Sequence, residues 1–346
     1  MNNKFKINDI KIEQLSLDTY DLIKEIKKNK FKQIKIHSIF KNALNIILDE
    51  EKNIFLSFIN SKTTIEPRSI CTSINDFLEI NVKENDEIRD LKLQLKDNIK
   101  LTDLSLTNNL QNYFIREYTN TKNNSKESIY LKRIKNNIKE SLIFIKNNII
   151  EIASKEEYSD SLLPLISSEL KQNYYTNFIK DRIIKLDEQT IKIFNLLFNE
   201  DKELSNCDYK IFSSLGKNIA GLGIGLTPSS DDFLKGYISA LYFIESLIIL
   251  GKNTKPTTDY HTYKISNNLL KKINTTNLST SFLHNAKLGL FSSDIIKLYI
   301  HICNLSLNNI KKDIEKISSF GATSGIDTLT GIYYSLNKNF REVYKW

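Results

Sequence analysis

Residues 221–236 read Gly221-Leu222-Gly223-Ile224-Gly225-Leu226-Thr227-Pro228-Ser229-Ser230-Asp231-Asp232-Phe233-Leu234-Lys235-Gly236. The chain has only 10 glycines in 346 residues, and this is where they are densest. Three glycines in alternation permit positive φ and close backbone approach. Pro228 suits the position just before a helix begins. Ser229 is placed to cap that helix, with Asp232 three residues on in a capping-box-like pair. The apolar run Tyr237 to Leu250 follows at once. The stretch therefore predicts a glycine-rich loop opening a long buried helix.

The same pattern returns near the C-terminus. Ser229-x-x-Asp232-x-Leu234-x-Gly236 matches Ser324-x-x-Asp327-x-Leu329-x-Gly331, and Leu241 and Leu336 extend the match. On a helix, Asp232 and Gly236 share a face at i and i+4, as do Asp327 and Gly331. One reading is two well-capped core helices. The sharper one is two related helix N-termini that meet, with free N–H groups aimed at a single anion.

Outward from this stretch, the chain changes period. Up to about Tyr118 it reads as β-rich. Gln33 to His37 is a short strand candidate with Ile34 and Ile36 facing the core, and Asn53 to Ile59 is a second. Arg89 to Leu104 reads as a hairpin: Leu91, Leu93 and Leu95 alternate with polar residues around an Asp97-Asn98 turn. A short helix is expected near Asp18 to Lys28. The polar stretch Arg116 to Lys126 marks a boundary. Beyond it Leu131, Ile134, Ile138, Leu142, Ile145 and Ile149 recur at three- and four-residue steps, and helical patterns continue to the end. The expected fold is α+β, with a small β-rich N-terminal domain, residues 1–120, and a larger mainly helical domain, residues 121–346.

Composition narrows the function classes. Hydrophobic residues make up 40% and charged residues 26%, which is ordinary for a soluble chain. The net charge is +8, but the lysines are spread over helix faces rather than gathered in an arm, so no nucleic-acid partner is expected. Cys71, Cys207 and Cys303 are odd in number and far apart, against both a disulfide framework and Cys-x-x-Cys zinc chemistry. No apolar signal region follows Met1, and Phe233 to Leu250 carries Lys235 and Glu245, so it reads as a buried helix. No membrane partner is expected, and the cytoplasm is the expected compartment.

The chemistry open to the motif is also limited. No Gly-Lys-Ser/Thr follows the central glycines, so a P-loop is excluded, and Leu226 stands where a Rossmann fingerprint needs its third glycine. His37, His261, His284 and His301 have no partners at metal-ligand spacing. Asp231 and Asp232 diverge by about 100° on a helix, so they cannot chelate one metal together. Asp232 with Asp327 could if the motifs face one another, but neither a metal nor a cofactor is expected. What remains is a set of hydroxyls and glycines at helix starts. Gly221, Gly223, Gly225, Thr227, Ser229, Thr275, Thr276, Ser279, Thr323, Ser324 and Gly325 are candidates to bind a small anion or a carboxamide. Asp231, Asp232 and Asp327 are the candidate catalytic residues; the plainer reading of each is macrodipole stabilisation at a helix start.

At these residues the chain resembles a bacterial family long classed as a domain of unknown function. It includes the AllH-like subunit of the three-part oxamate carbamoyltransferase of anaerobic allantoin breakdown. The family hallmark is Gly-Leu-Gly-Pro-Gly-Leu-Thr-Pro-Ser-Gly-Asp-Asp-Phe-Leu-x-Gly. Residues 221–236 depart from it at Ile224, where the family usually has Pro, and at Ser230, where it usually has Gly. Thr275-Thr276-x-x-Ser279 and Thr323-Ser324-Gly325-x-Asp327 also look like family segments, in the right order. The specific match spans roughly the last third of the chain. The resemblance implies carbamoyl transfer between oxalurate or oxamate and phosphate, and two partner subunits, one similar to acyl-CoA synthetases. The alternatives are a non-catalytic scaffold whose glycine motifs only pack helices, a small-anion-binding subunit of a related enzyme, and a nucleic-acid binder suggested by charge alone.

Overall fold

The computed structural model describes residues 12–28, 31, 34–80, 82–88, 99–119, 125–154, 160–171, 173–199, 205, 207–252 and 260–344. The chain forms two compact units. The first comprises Met1–Leu104 with Phe291–Ser293, and the second Ser105–Leu290 with Asp294–Trp346.

The first unit is a seven-stranded sheet with one helix. Its strands are β1 (Ile12–Ser16), β2 (Ile34–Phe40), β3 (Ala43–Asp49), β4 (Ile54–Asn60), β5 (Ser69–Thr72), β6 (Glu87–Ile88) and β7 (Lys100–Thr102), in spatial order β6-β2-β3-β4-β5-β1-β7. Successive strands β2, β3 and β4 pair antiparallel, whereas β4–β5 and β1–β7 are parallel. The helix α1 (Leu17–Lys27) contributes Ile23 and Ile26 to a core with Ile36, Leu44, Ile46, Leu56 and Phe58. Along β2 the expected alternation holds: Ile34 and Ile36 are buried between more exposed Lys35 and His37. Strand β3 gave no alternating signal, because Leu44 to Leu48 are all buried. A strand covered on both faces loses the period that reveals it. Of the hairpin expected over Arg89 to Leu104, residues 89–98 lie outside the described residues, and the second arm supplies β7, which pairs with β1 in parallel.

The second unit is helical. In order it contains α2 (Leu106–Thr119), α3 (Ser125–Ala153), α4 (Tyr174–Asn199), α5 (Lys210–Ile219), α6 (Ser229–Lys252) and α7 (His261–Leu269). Then come α8 (Asn277–Lys287), α9 (Ser293–Cys303), α10 (Leu307–Ser318), α11 (Ser324–Ser335), a π-turn at Leu336–Phe340 and α12 (Arg341–Tyr344). Helix α2 falls in the reach expected to be β-rich. It packs on α6 within the helical unit, so the compact units divide at Leu104, ahead of the polar stretch that begins at Arg116.

Helices α6 and α11 are the centre of this unit. Every residue of α6 from Ser229 to Ile248 is buried, as is every residue of α11. Helix α6 is long and apolar enough to cross a membrane, but 89% of its apolar window is buried inside the unit, as in a core helix. The two helices cross through their glycines. A Cβ at Gly236 would lie 2.9 Å from the Thr328 carbonyl carbon and 3.0 Å from the Ile332 nitrogen, with the Thr328 oxygen nearer still. A Cβ at Gly331 would lie 2.9 Å from the Tyr237 nitrogen and 3.0 Å from the Phe233 carbonyl carbon. These contacts are reciprocal, since Thr328 and Ile332 occupy in the second motif the places of Phe233 and Tyr237 in the first. The helices are thus related by a local two-fold, and their starts lie side by side.

Candidate functional site

The site is built where α6 and α11 begin. The loop before α6 has positive φ at Gly221, Gly223 and Gly225, with values of 80°, 128° and 88°. It folds back onto its own helix. Ser230 N–H donates to Leu222 O at 3.0 Å, and Asp231 N–H to Pro228 O at 2.8 Å. The N–H groups of Ser230, Asp231 and Asp232 are thereby taken up by the loop's own carbonyls. Gly325 is likewise committed: its N–H donates to Phe320 O, and its bare Cα lets the Ile317 backbone approach.

Asp231 anchors the loop. Its Oδ1 accepts from Gly221 N–H at 2.8 Å, and its Oδ2 accepts from Ser279 Oγ at 2.6 Å and from Thr275 Oγ1. Thr276 caps α8 by accepting from Ser279 N–H, and its hydroxyl donates to Leu226 O. One buried carboxylate thus ties Gly221, Thr275 and Ser279 together. Both its oxygens are engaged, by the loop and by α8 and the residues before it. Asp231→Ala should cost about 3 kcal/mol, read by chemical or thermal unfolding, because it strands several buried donors.

Asp232 and Asp327 differ from it. Asp232 is 4% exposed and Asp327 is fully buried, and in each the Oδ2 atom has no hydrogen-bond partner. Asp327 Oδ1 accepts from Leu162 N–H at 2.6 Å. Burial pushes Asp327 up to about 7, against the pull of the Leu162 N–H and the hydroxyls of Ser229 and Thr323. Burial also holds Asp232 well above the usual carboxylate range; the Lys235 ammonium and the hydroxyls of Ser324 and Thr227 oppose this, and the neighbouring Asp327 charge adds to it. Each aspartate is therefore served by the serine that opens the other helix.

That exchange corrects the capping expectation. Ser229 Oγ donates to Asp160 O at 3.2 Å and supports Asp327, while Ser324 Oγ and Thr227 Oγ1 lie 2.8 Å apart beside Asp232. The position before α11 is Thr323, whose side chain makes no capping bond. Ser229 and Ser324 are the first residues of their helices, one position too late to cap them.

The structure thus brings together Thr227, Ser229, Asp232, Thr323, Ser324 and Asp327 in one cluster. Gly221, Thr275, Thr276 and Ser279 form a second layer through Asp231. Gly223 packs against the Ser229 nitrogen, and Gly225 has open space around it. Lys235 went unnoticed as a site residue. It is 8% exposed, one turn along from Asp232, and its ammonium lies 5.7 Å from the ring centres of Phe282 and Phe320. A lone lysine in an apolar helix run, three residues after an aspartate, was the available signal. Asp160 and Leu162 were also missed, since they join the cluster through backbone atoms that no sequence motif encodes. Among the described residues no group of three or more His, Cys, Asp or Glu side chains is placed to hold a metal ion.

Two family models match the chain: oxamate carbamoyltransferase subunit AllH over residues 219–336, and the AllH family N-terminal domain over residues 13–109. The chain belongs to the AllH family. The first match begins at the end of α5 and runs through both aspartates to the end of α11, so it contains the whole paired-helix cluster except Asp160 and Leu162. The AllH N-terminal match covers the described sheet and reaches into α2. No solved structure matches this chain.

Proposed function

We propose that this chain is the substrate-handling subunit of an oxamate carbamoyltransferase, moving a carbamoyl group between oxalurate and phosphate. The observation that carries the reading is the pair of buried aspartates, each with an unpartnered oxygen, at the joined starts of α6 and α11. A buried polar oxygen without a partner is costly and calls for one, a donor at Asp232 and, when Asp327 is protonated, an acceptor there. A carbamoyl or ureido group brings N–H donors suited to that place, and Lys235 supplies positive charge nearby for a carboxylate.

The chemistry follows from the two protonation states. A phosphate oxygen forms the new bond to the ureido carbonyl carbon, and the C–N bond to oxamate breaks. The departing amide nitrogen needs a proton. Asp327, held at about 7, carries one at neutral pH and serves as general acid. Asp232 accepts from the carbamoyl N–H groups and orients them. Positioning of this kind, together with charge stabilisation, is what such hydroxyl- and glycine-lined sites do well.

The reading puts the chain in anaerobic allantoin breakdown in the cytoplasm, beside two other subunits. Co-expression with those subunits should yield a stable complex that forms carbamoyl phosphate from oxalurate and phosphate, while the isolated chain shows no turnover. Full turnover by the chain alone would refute the subunit reading. A purely scaffolding role predicts instead that the complex keeps its rate when either aspartate is neutralised.

A further inference from the structure

The helical unit holds a cavity of about 250 Å³ lined by Lys146, Pro164, Leu165, Ile166, Ser167, Ser168 and Lys180. Lys146 comes from α3 and Lys180 from α4, and the serines follow the 3-10 turn Leu163–Leu165. Among the described residues no carboxylate lines the cavity and neither lysine has an acidic partner. Two lysine side chains border one concave space, and an anion seated there is attracted by both. Ser167 and Ser168 add hydroxyl donors, and Pro164 to Ile166 add an apolar wall. The volume lies just below the usual ligand range of roughly 300–1,000 Å³, which suits an anion with a few further heavy atoms.

We propose that this cavity binds the phosphate group of a small phosphorylated molecule. Its wall is also tied to the aspartate pair. Leu162 N–H is held by Asp327 Oδ1, Asp160 O accepts from Ser229, and the chain runs directly from these residues into Pro164 to Ser168. The phosphate site is thus joined by one short segment to the paired helix starts, while its binding groups are separate from them.

The test is equilibrium binding of inorganic phosphate and acetyl phosphate to the full chain by calorimetry, with phosphorus-31 line broadening as a second readout. Saturable one-to-one binding is expected. The double variant Lys146→Ala/Lys180→Ala should weaken it at least about tenfold, the loss expected from removing charge-assisted contacts. Lys146→Arg/Lys180→Arg should retain it. Absence of saturable binding, or binding indifferent to the double alanine change, overturns the proposal. None of these readouts depends on turnover, so the cavity and the transferase reading stand or fall separately.

Discussion

Neutralising either paired aspartate should remove carbamoyl transfer and, at the same time, make the protein more stable at alkaline pH. Asp327→Asn keeps an oxygen to accept from Leu162 N–H but has no proton to give, so the assembled complex should lose about 100-fold or more in kcat. Asp232→Asn should lose a similar factor with the fold intact. The stability effect has the opposite sign because burial raises Asp327 from 3.8 to about 7. A carboxyl raised in the folded state contributes stability that is fully present below about pH 3.8 and is lost as pH rises through about 7. The asparagine variant escapes that loss. It should match the wild type near pH 4 and exceed it by about 2–4 kcal/mol at pH 8, in paired denaturant titrations. If Asp327 only completed a helix end, its replacement would instead destabilise the chain by about 1 kcal/mol or less at neutral pH, with transfer unaffected. The wild-type rate should also fall above pH 7 as the acid loses its proton, and Asp327→Asn should abolish that limb.

The second large effect is on folding. At Gly236 and Gly331 an added methyl group meets the backbone of the facing helix, not a side chain that can turn away. Relief requires the two central helices to separate, which opens the most buried contact of the unit. Gly236→Ala and Gly331→Ala should each cost more than about 4 kcal/mol and leave little soluble folded protein, read by expression yield and by circular dichroism melting. Gly225→Ala is the control. Its φ of 88° imposes a local penalty of about 1–2 kcal/mol, but nothing lies within 4 Å of the added carbon, so the protein should fold. Equal losses at all three positions would mean that conformational freedom, and not the helix crossing, explains the glycines.

Much of this was legible in the chain because the decisive signals were local. The Ser-x-x-Asp-x-Leu-x-Gly spacing marked both helix starts, the three- and four-residue recurrence of Ile and Leu marked α3 as a helix, and alternation marked β2. Each is a property of one segment, the first a residue spacing and the other two the period of a segment with one exposed side. Where a segment is buried all round, as in β3, the period vanishes and the strand goes unread. Helix α2 was overlooked for another reason: its polar residues, Asn108, Asn109, Gln111 and Asn112, dilute the apolar face that packs on α6.

By itself, the sequence determined that two like motifs exist, that glycines stand one turn beyond each aspartate, and that the loop before the first is free to take positive φ at three points. Only the tertiary structure decided what those residues do. Asp231 and Asp232 are neighbours in the chain, yet one has both oxygens tied to the loop and Thr275 and Ser279, while the other retains an unpartnered oxygen beside the second helix. The 100° between successive helix positions sends them into different surroundings. Which surroundings those are depends on α8 and α11, which lie about 50 and 95 residues further along the chain. The same holds for Ser229 and Ser324, whose spacing suggested caps for their own helices. Each serine is the first residue of its helix and not the one before it, and the close glycine crossing places an aspartate of the facing helix beside each, so the hydroxyls face the crossing.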